Sequence, residues 1–157
     1  MLVNKALRQA VGLNVGLYDP KLIGFSALGV RIGGVYANLP QSENTAYKTS
    51  VAQEDLAKVL TKQDFDTFIL DPGMKIVLYT QEYFSMDWYS AAMFTFKSVT
   101  AQLWLEQSSS VWALPGWNGH LILKLTNTGP ESLVLRKGDV IGQMSFFRCE
   151  DCEDCED

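Results

Sequence analysis

The chain has 157 residues, of which 47% are apolar, 20% charged and 11% aromatic, and its net charge is −5. That length fits one domain with a core of its own, independent of disulfide or metal staples, and the composition excludes disorder, collagen and coiled coil. No stretch reaches the ~20 consecutive apolar residues of a membrane-spanning helix, and Lys5 and Arg8 precede no apolar h-region, so neither a secretory signal nor a membrane partner is expected.

In chain order, Leu2, Ala6, Leu7 and Val11 sit at helical spacing and predict a short helix over residues 1–12, ended near Gly12. Asp19-Pro20 is a turn. Leu28 to Tyr36 reads as a strand with a bulge or turn at Gly33-Gly34. Residues 37–49 read as polar loop. Ser50 with Gln53 forms a capping box, and Ala52, Leu56, Val59 and Leu60 then predict a helix of about three turns.

From Asp64 onward the period becomes two. Strands are predicted at Thr67–Leu70, Met74–Thr80, Met93–Ser98, Gln102–Glu106, His120–Asn127, Leu133–Leu135 and Val140–Phe147. Turn signals separate them at Asp71-Pro72-Gly73, Pro115-Gly116, Asn118-Gly119, Thr128-Gly129-Pro130 and Lys137-Gly138-Asp139. Short strands at such intervals predict a β-barrel or sandwich.

Charge is concentrated at one end. Glu150, Asp151, Glu153, Asp154, Glu156 and Asp157 fall in the last eight positions, and the remaining 12 acidic residues nearly balance the 13 basic ones. A near-neutral body lacks the basic footprint of a nucleic-acid binder. Cys149, Cys152 and Cys155, the only cysteines, repeat every third residue within this tail. Three thiols do not close a four-thiolate zinc site, and flanking carboxylates disfavour the thiolate. The tail reads as a solvated, self-repelling segment; metal binding or interchain disulfides in an oligomer stay open.

The run Leu114-Pro-Gly-Trp-Asn-Gly-His-Leu-Ile-Leu-Lys-Leu-Thr-Asn127, followed by Gly129-Pro130, Lys137-Gly138 and Ile141-Gly142-Gln143-Met-Ser-Phe-Phe147, resembles the C-terminal half of dCTP deaminases and trimeric dUTPases. Gly29-Val-Arg31-Ile-Gly33 and Leu70-Asp-Pro-Gly73, with a Glu82-Tyr83 turn, are similar to the family's upstream strands. The likeness covers roughly residues 22–147. It implies a distorted β-barrel of the β-clip type that assembles as a homotrimer.

The same resemblance places the family's Gly-Arg-Ser-Ser phosphate element on Thr95-Phe96-Lys97-Ser98, where Phe96 takes the arginine position and only Ser98 matches. Lys97 could replace that arginine if the alignment is shifted. The aspartate before Pro-Gly falls on Leu114, and the deaminase's acid/base glutamate on Lys124. A lysine, cationic at neutral pH, does not take a proton from water. The glycine-rich arm that closes over the triphosphate in dUTPases is replaced by the acidic tail.

Other constellations carry less. His120, the only histidine, reads as surface or threefold-axis packing, since no second ligand stands at metal spacing. Ser108-Ser109-Ser110 has no nucleophile elbow. Gly29, Gly33 and Gly34 miss the dinucleotide and P-loop spacings. Asp64, Asp66 and Asp71 read as a solvated helix end and turn. Trp88, Trp104, Trp112 and Trp117, with Tyr79, Tyr83, Phe84, Tyr89, Phe94 and Phe96, divide between barrel core and buried interfaces.

The sequence-level expectation is therefore a mainly β, distorted barrel with one or two short helices in its N-terminal half. Its parts are an N-terminal segment 1–21, a barrel 22–148 and an acidic tail 149–157. No catalytic, cofactor-binding or metal residue and no cofactor is expected. By elimination, the expected function is non-enzymatic: a homotrimeric capsid cement or decoration protein of a bacteriophage virion, partnered by itself and by a major capsid protein, binding neither nucleic acid nor membrane. The alternatives are a cytoplasmic nucleotide-processing enzyme of the dCTP deaminase or dUTPase kind, or a nucleotide-binding regulator without turnover.

Overall fold

A computed structural model of the chain describes residues 1–36, 62–63, 66–108 and 111–150. Helix α1 (Asn4–Asn14) is followed by β1 (Val15–Gly16), a 3-10 turn (Pro20–Leu22) and β2 (Leu28–Tyr36). Then come β3 (Lys62–Gln63), β4 (Thr67–Leu70), β5 (Lys75–Ser85), β6 (Ser90–Thr95) and a second helix, α2 (Ser98–Gln102). The remaining strands are β7 (Leu105–Gln107), β8 (Trp112–Ala113), β9 (Asn118–Asn127), β10 (Leu133–Arg136) and β11 (Val140–Arg148).

The mainly β class and the curled, barrel-like sheet match the expectation. The main sheet runs β7-β9-β5-β2-β11-β6-β8, with β1 on β5 and β3 on β2; β10 and β4 form a separate pair. All pairings among the described residues are antiparallel.

The alternation that predicted the strands sets which face is buried. Leu121, Leu123 and Leu125 of β9 meet Ile76, Leu78 and Phe84 of β5 inside the same core as Met144 and Phe146 of β11. Helix α1 joins that core through Leu7 and Val11, both fully buried. Asp19 caps the 3-10 turn, accepting from the Lys21 N–H at 2.9 Å.

Some boundaries differ from the sequence reading. Where strands were predicted at Met93–Ser98 and Gln102–Glu106, the chain leaves β6 after Thr95, makes α2 and resumes at Leu105. Trp104 closes α2 in the left-handed region at φ 59°. Glu82-Tyr83, read as a turn, lies inside β5, which extends to Ser85. The helix predicted from Ser50, with the loop 37–49, lies outside the described residues.

Candidate functional site

A buried polar cluster lies where β2, β5 and β9 lose register. The β2–β5 pairing shifts between Ile32 and Gly34, and the β5–β9 pairing between Tyr79 and Tyr83. The segment Thr80-Gln81-Glu82 thus bulges out of the ladder and re-aims its side chains. Gly33 makes this possible: a Cβ there would stand 2.8 Å from the Thr80 and Gln81 backbone.

Glu82 is fully buried and accepts from the Arg31 backbone N–H at 2.8 Å and from Arg31 Nε at 2.7 Å. The other branch of the guanidinium donates to the Leu17 carbonyl at 2.6 Å. Thr80 Oγ1 donates to the Glu82 carbonyl at 3.0 Å and accepts from the Leu121 N–H at 3.1 Å. His120 Nδ1 lies 2.8 Å from the Thr80 carbonyl and 3.1 Å from that of Glu82. Carbonyls only accept, so Nδ1 carries the proton and Nε2 is left as the second ring nitrogen. The rings of Tyr79 and Tyr83 flank the imidazole edge-on, with centroids 5.8 and 5.2 Å away.

A second locus joins two turns. Met86 N–H donates to the Trp117 carbonyl at 2.9 Å, and Gly116 N–H to the Asp87 carbonyl at 3.2 Å. Gly116 adopts φ 75°, and the Trp88 ring lies against it in the space a side chain would fill. Leu114, 57% exposed, opens this turn.

The family-like positions fall in three places. Lys97 and Ser98 are exposed at the start of α2, while Phe96 is half-buried and packs edge-on against Phe94 at 5.4 Å. Leu114 precedes β9. Lys124 is exposed on β9 opposite Val77, and its carbonyl accepts from the Ser108 N–H at 3.0 Å. Lys124 stands six steps along the strand from Asn118, about 20 Å, and Leu114 lies before Asn118, in the preceding turn.

The remaining candidates are dispersed. Asp66 and Asp71 are exposed; Asp71 Oδ1 accepts from Ser132 Oγ at 2.7 Å. Asp64, Ser109, Ser110, Cys152 and Cys155 lie outside the described residues. Among the described residues no His, Cys, Asp and Glu cluster is placed to hold a metal ion. Trp88, Trp104 and Trp112 are exposed, whereas Trp117 packs against the core. The Arg31–Glu82 pair is not legible in the sequence; its one signal is the single charge, Arg31, inside the otherwise uncharged and mostly apolar β2.

A curled antiparallel sheet with these strand-joining turns defines a β-clip class of protein. A family model described as dCTP deaminase-like matches residues 2–149, and the chain belongs to that family. It is 28% identical over 151 residues to a "dCTP deaminase, dUMP-forming" of Corynebacterium jeikeium, covering 94% of this chain and 80% of the relative. A protein of the same name from Salinispora tropica is 30% identical over 132 residues, covering 83% of this chain and 69% of the relative. Among solved structures, the 2'-deoxycytidine 5'-triphosphate deaminase of Agrobacterium tumefaciens superposes with a TM-score of 0.73 at 18% identity, over 95% of this chain and 47% of that chain. The present chain thus spans about half of that protein, and the likeness is one of fold.

These relatives correct the functional expectation. They carry the name of an enzyme, not of a shell protein, so the non-enzymatic capsid cement or decoration reading is withdrawn. Nothing supports a major capsid protein as partner. Missing side chains at three positions do not specify another role, and a shared fold names no partner.

Proposed function

We propose that the chain is a pyrimidine deoxynucleotide-processing enzyme of the dCTP deaminase class. The observation that carries this reading is the family match over residues 2–149, with named relatives aligned along 94% of the chain. In such a reaction water replaces the amino group of the cytosine ring and ammonia leaves. Lys97 and Ser98, exposed beside each other, are the groups on this chain suited to the triphosphate.

The site is completed by self-association, most simply as a homotrimer. A group that moves a proton must stand within about 3 Å of it. Leu114 lies in the turn before β9 and Lys124 well inside the strand, so a centre that uses both positions draws on two protomers.

Turnover is expected to be slow. Each missing base or charge-stabilising donor costs ~10² or more in rate, and positions 96, 114 and 124 hold phenylalanine, leucine and lysine. Those residues favour a second reading, a nucleotide-binding regulator. The test is incubation with dCTP and with dUTP in magnesium buffer, read by chromatography, alongside calorimetry with the same nucleotides. Catalytic release of dUMP or dUTP from dCTP supports the enzyme. Saturable binding without product supports the regulator, and neither binding nor product overturns both.

A further inference from the structure

Strands β7 and β9 turn a row of polar side chains outward. Glu106 pairs with Thr126 across the ladder, and the Ser108 N–H donates to the Lys124 carbonyl at 3.0 Å, so the following rung sets Ser108 beside Lys124. Glu106, Ser108 and Lys124 are exposed and Thr126 is half-buried, while Leu105 and Leu125 between them face the core. Glu106 and Lys124 are therefore diagonal neighbours on one face, with Cβ atoms about 7 Å apart. They form no ion pair, and the Glu106 carboxylate has no partner among the described residues. From β5, Lys75 faces the same row opposite Thr126, and α2 carries no charge.

The entry to this row is fixed. Thr128 N–H and Oγ1 both donate to the Trp104 carbonyl, at 2.9 and 2.8 Å, which ties the start of β7 to the end of β9. Helix α2 comes just before, with Lys97 and Ser98 at its start. The four helical steps from Ser98 to Gln102 rise about 6 Å, and the four residues after them span at most about 14 Å, so the Cα atoms of Ser98 and Glu106 lie within about 20 Å. That is the scale of one extended nucleoside triphosphate.

We propose that Glu106 is the proton-carrying residue of the deamination, a carboxylate supplied from β7 beside Lys124. The inference rests on the deaminase reading and names its acid/base group. The Glu106 carboxylate takes a proton from water as the hydroxide oxygen bonds to C4 of the cytosine ring, and gives that proton to N3. It then takes the proton of the new C4 hydroxyl and hands it to the amino nitrogen. The C4–N bond breaks, its electron pair leaves with ammonia, and a C4 carbonyl remains.

The test is single-turnover conversion of dCTP by the full chain in magnesium buffer, read by chromatography across pH, with dCTP affinity from calorimetry. Glu106→Gln is expected to lower the rate constant about 10²-fold at unchanged affinity and to abolish the fall in rate at acid pH. Adding Lys124→Glu to that variant is expected to recover roughly tenfold, because a carboxylate returns to the same face. Glu131→Gln, at an exposed carboxylate in the β9–β10 turn, is the control and leaves the rate unchanged. A wild-type rate in Glu106→Gln overturns the assignment and leaves the deaminase reading standing. So does a fall that comes with neither the altered pH profile nor the recovery, which makes Glu106 a structural residue. No product from the unaltered chain removes the deaminase reading and this inference with it.

Discussion

Arg31 grips Glu82 twice, through its own backbone N–H and through Nε, and does so where Glu82 has no exposed surface. The side chain and main chain of one residue thus neutralise a carboxylate in the middle of the sheet. Removing one partner strands a buried charge, which costs about 3–5 kcal/mol. Arg31→Met, which leaves the fully buried Glu82 carboxylate without its cation, is expected to lose that much in urea unfolding. Arg31→Met/Glu82→Leu is expected to lose clearly less, because no charge is left unpaired. Equal losses in the two variants would show that the pair does not act as a unit.

Gly33 and Gly73 separate two reasons for glycine. At Gly33 a methyl group meets the backbone of Thr80 and Gln81, atoms that cannot swing away. Gly33→Ala is expected to cost about 1–3 kcal/mol through overpacking and to disturb the β5 bulge. Gly73 has open space but φ 80°, so Gly73→Ala is expected to cost about 1–2 kcal/mol through backbone strain alone. Thermal melts of both, with the His120 ring resonances as a local probe, distinguish them: only the Gly33 variant moves the imidazole.

Asn127 holds the β9–β10 turn from inside. Its Nδ2 donates to the Leu70 carbonyl at 2.9 Å and to that of Glu131 at 2.7 Å, and its Oδ1 accepts from the Gly129 N–H at 3.0 Å. The side chain is fully buried. Asn127→Ala leaves these groups without partners and is expected to cost about 1–3 kcal/mol for the stranded groups. Amide exchange at Gly129 reports the loss directly, and unchanged protection there would refute the assignment.

Lys124→Glu puts a carboxylate at the position where the resemblance places the deaminase's acid/base group. Lys124 is exposed, so stability is expected to stay within about 0.5 kcal/mol. Turnover of dCTP is expected to rise by ~10², the low end of what a positioned base contributes. No gain, at unchanged nucleotide affinity, would mean that position 124 does not face the reacting ring.

What could be read from the sequence follows from how each residue signals its surroundings. Leu121, Leu123 and Leu125 announce a half-buried strand because alternation is a direct imprint of the pleat. Gly33-Gly34 announced the β2 irregularity because only glycine permits the approach seen there. The five residues of α2 are too few to show a helical period, and its closure at Trp104 uses a backbone conformation that tryptophan rarely signals. Glu82 looked like a turn residue because a lone carboxylate carries no sign of a partner 51 positions away. The candidate site was legible as a set of positions, not as an assembly, because Leu114 and Lys124 lie at well-separated places in the fold.

Among the described residues the main sheet ends on β7 at one rim and on β8 at the other, three and two residues long, with Pro115 two positions past the second. Such brief rims offer few unpaired amides for a foreign strand to copy, and proline interrupts any extension. A protein with three exposed tryptophans thus leaves little open backbone at these two rims for strand-by-strand accretion.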